Sequence, residues 1–577
     1  MATLLKKVER PRELKWYQAG ALLYGDWGTS KAYVLGIAFA LAGHASWLFL
    51  GFMSVLTAIV GCCYISICRS HPEGGGVYSS VSSRSKTLAV IGALLLVADY
   101  VVTISLSSLD AFHYFNFPHP ERWAIFSILL IGFLNWLGPS KAGNVAAIIA
   151  IAASICAGIL FLSTLPHIPH VDLRWPEASF SKNWSIFAGV ILALSGVEAI
   201  ANMTAIMVEP VEKTSRTAII PVLLEVTVLT FLLGIAMNAI PDLIPGTHSE
   251  DMLRVLGDHY IGQWFGGIIS LVFGFLLLSA ANTAIGDLVS TQFLMAKDRE
   301  LPQILTRLNR FGMPMLPLLI ATVVPIGILF IVHNVVSLAA LYAIGVVGAI
   351  TLNIGASATD PKISLSPSKR VIFLIVTAVL ALIWITIAYE KPWALLFALT
   401  IILSGLALRF AAKKMIPAPV FEVASDVTVL TLNEAKEIML LYRSTNLVAL
   451  KTLNLNLLHE VELRAKALGE TSVYLSYVEE APISMDLPKE IEPSQDSVRV
   501  LTGAQKLLED KGITAIPIWL LGANPGKLIA QTARELEVDT VIIGTTKRSA
   551  LTNLLRGEVL RNLTHNLPKQ CHLVISG

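Results

Sequence analysis

Twelve runs of predominantly apolar residues, each about long enough to span a bilayer when wound as a helix, constrain this chain more than any other feature. They lie near 17–39, 45–68, 87–110, 122–138, 144–165, 186–207, 218–240, 263–290, 315–333, 335–357, 370–389 and 392–410. Hydrocarbon offers no hydrogen-bond partners, so such runs must close their backbone bonds internally, as helices. Only 15% of the 577 residues are charged and 54% are hydrophobic, whereas a soluble domain carries about 25% charged residues. Much of the surface is therefore expected to face membrane lipid. The 43 basic and 41 acidic residues nearly cancel, so net charge selects no partner, and no nucleic-acid ligand is expected.

The loops between the runs indicate orientation. With the N-terminus inside, inner loops hold thirteen Lys and Arg residues and outer loops five (Arg122, Arg174, Lys182, Arg254 and Lys391). Positive charge accumulates on the cytoplasmic side, so the expectation is a multi-pass protein of the cell membrane with both termini cytoplasmic. The polar, basic start (Lys6, Lys7, Arg10, Arg12, Lys15) precedes no small-residue cleavage site, so no removable signal peptide is expected. Cys62, Cys63, Cys68 and Cys156 sit in apolar runs and, with Cys571, form no CxxC pair; they read as small buried hydrophobes.

Two apolar runs contain breaks. The first, Gly20 to Ser30, places Gly25, Asp26, Gly28, Thr29 and Ser30 in mid-membrane; the sixth reads Leu194-Ser-Gly-Val-Glu-Ala-Ile-Ala-Asn202. The two lie five helices apart, as two inverted five-helix repeats would place them, and matched interruptions point to a transport site. Each break carries an acid, Asp26 and Glu198, and a third acid, Asp99, lies in the third run. An acid at the bilayer centre costs at least ~2.5 kcal/mol. Thr103 and Ser107 follow Asp99 at i+4 and i+8, so three oxygens share one helix face and suit a hard cation. Glu198 is open between binding substrate, pairing with a neighbouring helix and satisfying the backbone freed by the break, the latter two being structural or gating roles. Asp110 and Asp287, near helix ends, read as solvated or capping.

The loop Pro72-Glu-Gly-Gly-Gly-Val-Tyr78, with Leu278-Ser-Ala-Ala-Asn-Thr-Ala-Ile-Gly-Asp287 and Leu341-Tyr-Ala-Ile-Gly-Val346, resembles motifs of the amino acid–polyamine–organocation superfamily. That resemblance implies a LeuT-like fold of five plus five inverted repeats. Tyr24-Gly-Asp-Trp-Gly-Thr-Ser30 is similar to the YGDxGTSP start of KUP-type potassium transporters, with Lys31 in place of the proline. KimA-type potassium–proton symporters offer a second resemblance, which implies potassium or proton roles for Asp26, Tyr33, Asp99, Thr103, Ser107, Ser195 and Tyr342. The implied activity is secondary active transport, proton-coupled potassium uptake, with Asp26 and Glu198 as proton-coupling candidates. An amino-acid or amine permease of the same fold is the alternative, and a channel or sensor a third class. Asp26 stands where permeases receive a substrate carboxylate on backbone N–H groups, which is the physical reason for preferring a cation.

Beyond about 418 charged residues return and apolar runs shorten to strand length. The expected division is 1–415 and 420–577, the second a cytoplasmic α/β doubly wound domain with strands at 427–432, 472–478, 515–520, 540–543 and 572–575 and helices at 525–536 and 551–562. The segment 541–559 resembles the phosphate loop of universal stress proteins: Gly544 and Gly557 are kept, Lys547 replaces the middle glycine, and Glu558 replaces the hydroxyl. The candidate roles are a regulatory nucleotide site and homodimerisation. No Walker lysine loop occurs, so an ATP-driven pump is not expected, nor an enzyme, nor a resident cofactor.

Overall fold

Apolar sequence of helical length folds as helix from Trp16 to Lys414 in the computed structural model. The structure describes residues 8–9, 12, 14–82, 84–137, 142–171, 173–240, 243–309, 311, 313–361, 363, 365–414, 429–439, 444–480, 490–491, 493–522, 524–544 and 559–576. Among these, eight helical runs are long and apolar enough to cross a membrane. One of them, Trp16–Ser70, spans 55 residues, about 80 Å of helix, which is long enough for two crossings, and is interrupted by a short turn at Gly43–Ala45. The pair Phe180–Gly189 and Ile191–Ile206, bent by 40°, is together long and apolar enough for one broken span. Pro120–Trp136 and Met315–Ile331, of 17 residues each, sit at the lower length limit for a span. Each apolar run read from the sequence is thus largely helical, the sixth being interrupted, and the protein is a polytopic helical membrane protein.

The first broken span is α1 (Trp16–Trp27) and α2 (Ser30–Ala42), followed by α3 (Ser46–Ser70), a short α4 (Val77–Ser82) and α5 (Lys86–Tyr114). Helices α6 (Pro120–Trp136), α7 (Ala142–Thr164) and α8 (Phe180–Gly189) lead to the second break and α9 (Ala199–Asn202). Beyond it come α10 (Val211–Met237), α11 (Met252–Tyr260), α12 (Gln263–Lys297), α13 (Met315–Ile331), α14 (Val335–Thr359), α15 (Pro367–Glu390) and α16 (Pro392–Lys414). Helix α5 is central and packs on α12, α14 and α6. Its most apolar stretch is 83% buried, against 17% for α16, so α5 is an interior helix and α16 presents its apolar face to lipid. Ser85 starts α5 by accepting the Leu88 N–H, and Asn334 starts α14 by accepting that of Ser337 at 2.7 Å.

The two breaks differ in extent. In the first only Gly28 and Thr29 separate the helical halves, and Gly25 and Asp26 belong to the last turn of α1, so less chain is unwound than the glycine-rich stretch implies. The freed carbonyls there are satisfied locally: Thr29 Oγ1 donates to Asp26 O at 2.5 Å and Ser30 Oγ to Trp27 O at 2.7 Å. In the second, a short turn at Ile191–Leu194 gives way to non-helical chain through Glu198 before α9 resumes.

The C-terminal part is a five-stranded parallel sheet of β2 (Asn446–Leu450), β3 (Ser472–Glu480), β5 (Thr514–Gly522), β6 (Thr540–Gly544) and β7 (His572–Ser576), in the order β5-β3-β2-β6-β7. Val448 pairs with Leu475 on one side and Ile542 on the other. Apolar clusters cover both faces, one built on Leu457 and Leu501, the other on Ile529 and Leu563. The expected strand at 427–432 is corrected: the described part makes a single bridge, Leu430 to Ile518, and helix Leu432–Met439 begins at once. The central strand is β2, which the sequence reading missed. A two-residue strand β1 (Val8–Glu9) pairs antiparallel with β4 (Glu490–Ile491). The expected helix at 551–562 is described only from Val559, where it runs to Asn566. Lys547, Gly557 and Glu558 lie outside the described residues.

Candidate functional site

The two breaks meet. Gly196 has φ +91°, and a Cβ built there would lie 2.6 Å from the Trp27 backbone nitrogen and 2.9 Å from the Asp26 carbonyl carbon. Only glycine permits this approach, which sets the second break against the last turn of α1. A second close approach brings in α14: a Cβ at Gly345 would lie 2.9 Å from the Asp99 nitrogen of α5. Two glycines thereby position three acids in one interior. Asp26, Asp99 and Glu198 are all buried, and they interact electrostatically with one another. Neither Glu198 carboxylate oxygen has a side-chain hydrogen-bond partner among the described residues.

The hydroxyls named from the sequence fall into two groups. Tyr33 of α2 donates to Ser195 in the second break at 3.4 Å, and Ser195 is hydrogen-bonded to the Tyr342 hydroxyl of α14. Tyr33 therefore bridges to the other broken span rather than to the Asp26 carboxylate. In α5 the Thr103 hydroxyl donates to the Asp99 carbonyl at 3.0 Å and to Asp99 Oδ1 at 3.3 Å, so it serves its own helix as well as the acid. Ser107 lies buried one turn further along. Chemically, the assembly offers carboxylate and hydroxyl oxygens from α1, α2, α5, α14 and the second break, which is the donor set of a hard cation.

Beside it lies an ion pair that the sequence reading did not find. Lys31 of α2 is wholly buried, and its Nζ donates to Glu225 Oε1 and Oε2 of α10 at 2.8 and 2.7 Å and to the Tyr24 hydroxyl at 3.1 Å. Tyr24, on α1, donates to Glu225 at 2.8 Å. Both halves of the first broken span are therefore stapled to α10. The signal was present as two opposite charges in separate apolar runs, an arrangement whose cost in lipid demands pairing. Lys31→Ala strands Glu225 without its partner and is expected to cost about 3–5 kcal/mol. A Lys31→Met, Glu225→Leu double variant is expected to recover most of the lost melting temperature in detergent. If the double variant melts no higher than Lys31→Ala, the pair does not act as described.

At the end of the bundle nearest Lys414 the glycine loop is tied to the second broken span and to α14. Gly75 N–H donates to Ala201 O at 3.0 Å and to Thr204 Oγ1 at 2.9 Å, and Asn353 of α14 donates to Gly75 O at 3.1 Å. The Tyr78 hydroxyl donates to Asp298 at 2.8 Å. Arg12 adds donations to Pro72 O at 3.2 Å, Thr204 O at 3.3 Å and Glu73 Oε1 at 2.9 Å. At the same end Glu300 pairs with Arg409 and Lys413; burial works to raise its carboxyl pKa, and the two cations outweigh burial and hold it below the ordinary value. A cleft of roughly 500 Å³, its open mouth included, reaches inward here past Tyr78, Asn202, Asp287, Ser290 and Thr291. Asp287 is part-buried on its wall. In the C-terminal sheet, the chain order reverses between β2 and β6, the place where doubly wound sheets take ligands; Gly544 ends β6 there, with Asn454 against it.

Residues 14–388 match the model of the amino acid permease family, and residues 451–574 match that of the universal stress protein family. The potassium transporter KimA of Bacillus subtilis (strain 168) is 28% identical over 53% of this chain and 54% of its own length. The uncharacterized protein MJ0609 of Methanocaldococcus jannaschii is 25% identical over 51% of this chain and 71% of its own. The chain thus spans about half the length of the Bacillus relative.

Proposed function

The chain belongs to the amino acid permease family of membrane transporters, and from that premise we propose that it carries a monovalent cation, potassium, in symport with protons. The observation that supports this reading is the interior set of Asp26, Asp99 and Glu198 with the Tyr33, Ser195 and Tyr342 hydroxyls. Among the described residues no lysine, arginine or histidine pairs with those three acids; the nearby ammonium of Lys31 is held by Glu225. An amino-acid substrate would bring its own carboxylate into this field. A dehydrated cation instead finds oxygen ligands in place of its water. The naming of the Bacillus relative as a potassium transporter agrees.

In this reading the end nearest Lys414 faces the cytoplasm, and the Arg12 and Tyr78 contacts narrow the path on that side. Asp99, Thr103 and Ser107 supply cation ligands from α5, while Asp26, Tyr33, Ser195 and Tyr342 complete the site across the breaks. A carboxyl beside the bound cation that is protonated in the loaded state and releases its proton when the path opens to the other side carries that proton across together with the cation. Asp26 and Glu198 both satisfy that description. The amine or amino-acid alternative draws on the family itself, with Asp26 receiving the substrate amine.

Purified protein in liposomes is expected to accumulate rubidium saturably down an imposed proton gradient, in competition with potassium and not with a panel of amino acids and amines. Competition by an amino acid alone would replace the cation reading with the permease one. Uptake against external pH assigns the proton carrier: Asp26→Asn is expected to flatten the profile while retaining more rubidium binding than Asp99→Asn. If Glu198→Gln flattens it and Asp26→Asn does not, the two roles are exchanged.

A further inference from the structure

The oxygen-bearing face of α5 does not end at Ser107. Asp110 lies eleven residues beyond Asp99, within about 20° of the same face and about 16 Å along the axis, toward the end of the bundle away from Lys414. The sequence reading placed Asp110 in solvent or at a cap; the structure corrects this. Asp110 is 0% exposed, and both carboxylate oxygens lack a hydrogen-bond partner among the described residues.

Its surroundings are charged. Asp110 interacts electrostatically with Glu250 and Asp251 in the loop before α11, and with Tyr33 of the central cluster. The two loop acids are already engaged, Glu250 with His113 Nδ1 at 2.9 Å and Asp251 with His248 Nδ1 at 2.9 Å. The loop is pressed against α2, where a Cβ at Gly36 would collide with the His248 carbonyl oxygen. Tyr114 fixes α5 to α2 from the other side, donating to Ala32 O at 2.8 Å. Asp110 therefore stands between the central hydroxyls and the far-end loop, as the acid of this group left without a histidine. A buried carboxylate with neither hydrogen bond nor counter-ion is costly unless something arrives to meet its charge.

We propose that Asp110, with Glu250 and Asp251 behind it, forms a second site for a monovalent metal cation, where the cation waits before it descends the α5 face to Asp99. This rests on the cation-transport reading above. The site supplies carboxylate oxygen and, by chain position, leads through Ser107 and Thr103 to the central acid. Its ligand is the transported ion itself.

Equilibrium binding of radioactive rubidium to the full-length protein in detergent tests the proposal. Wild type is expected to bind two rubidium ions per chain, Asp110→Asn one, and Asp110→Glu two. Glu250→Gln, which leaves Asp110 in place, is expected to weaken one of the two sites only, and it keeps the test open if Asp110→Asn fails to fold. A wild-type stoichiometry of one, or an undiminished stoichiometry of two in Asp110→Asn, overturns the second site and leaves the cation reading standing. A wild type that binds no rubidium removes the cation reading itself.

Discussion

Asp99→Asn is expected to reduce rubidium uptake to background while the melting temperature and elution of the protein stay those of the wild type. The substitution keeps shape and removes charge. Asp99 is buried in the most interior helix, with Gly345 of α14 closing over its backbone. A unit charge pair about 4 Å apart at an effective dielectric of 20 is worth about 4 kcal/mol, on the order of a thousandfold in affinity. No neighbouring hydroxyl replaces that charge: Thr103 already donates to the Asp99 carbonyl. Loss of folding is not expected, because an amide still accepts from Thr103 through its own oxygen. Wild-type uptake by a well-folded Asn variant would remove Asp99 from the site.

Gly196→Ala is expected to damage transport through a different cause. Its methyl group would have to occupy space within 2.6 Å of the Trp27 nitrogen, on a residue at φ +91°. Backbone cannot move aside as a flexible side chain does, so the two broken spans must separate. Overpacking and left-handed strain each cost about 1–3 kcal/mol. The separation also withdraws Ser195 from Tyr33 and Tyr342. A lowered melting temperature and at least tenfold lower uptake, about 1.4 kcal/mol in transition-state terms, are expected. Gly158→Ala, where a Cβ meets nothing within 4 Å, is the matched control and is expected to behave as wild type. Equal uptake by both variants would show that the breaks do not meet at Gly196.

The acids were legible because lipid makes them conspicuous. Asp26, Asp99 and Glu198 each interrupt an apolar run, and no packing argument explains a charge there. The pairing of Lys31 with Glu225 was not read, since 194 residues separate them and periodicity carries no information about which helices touch. Asp110 was misread for a related reason: proximity to a helix end suggests solvent, yet the loop at 248–251 folds back over it. In the C-terminal part, the strand at 446–450 escaped because a central parallel strand is buried on both faces. Its sequence, Asn-Leu-Val-Ala-Leu, shows no alternation and cannot be told from a short buried helix by pattern. The described part of 427–432 makes one bridge, Leu430 to Ile518 at the edge of β5, because the chain turns into helix at Leu432. Glycine content located both breaks but overstated the first, because Thr29 and Ser30 return the freed carbonyls to hydrogen bonds within a single turn.

The most direct test of proton-coupled cation transport uses liposomes with a pH-sensitive dye inside and no initial proton gradient. Adding potassium outside is expected to acidify the lumen at a rate that saturates with potassium, that rubidium reproduces, and that Asp99→Asn abolishes. A lumen that stays at constant pH on addition of potassium, yet acidifies on addition of an amino acid or amine, would contradict the account.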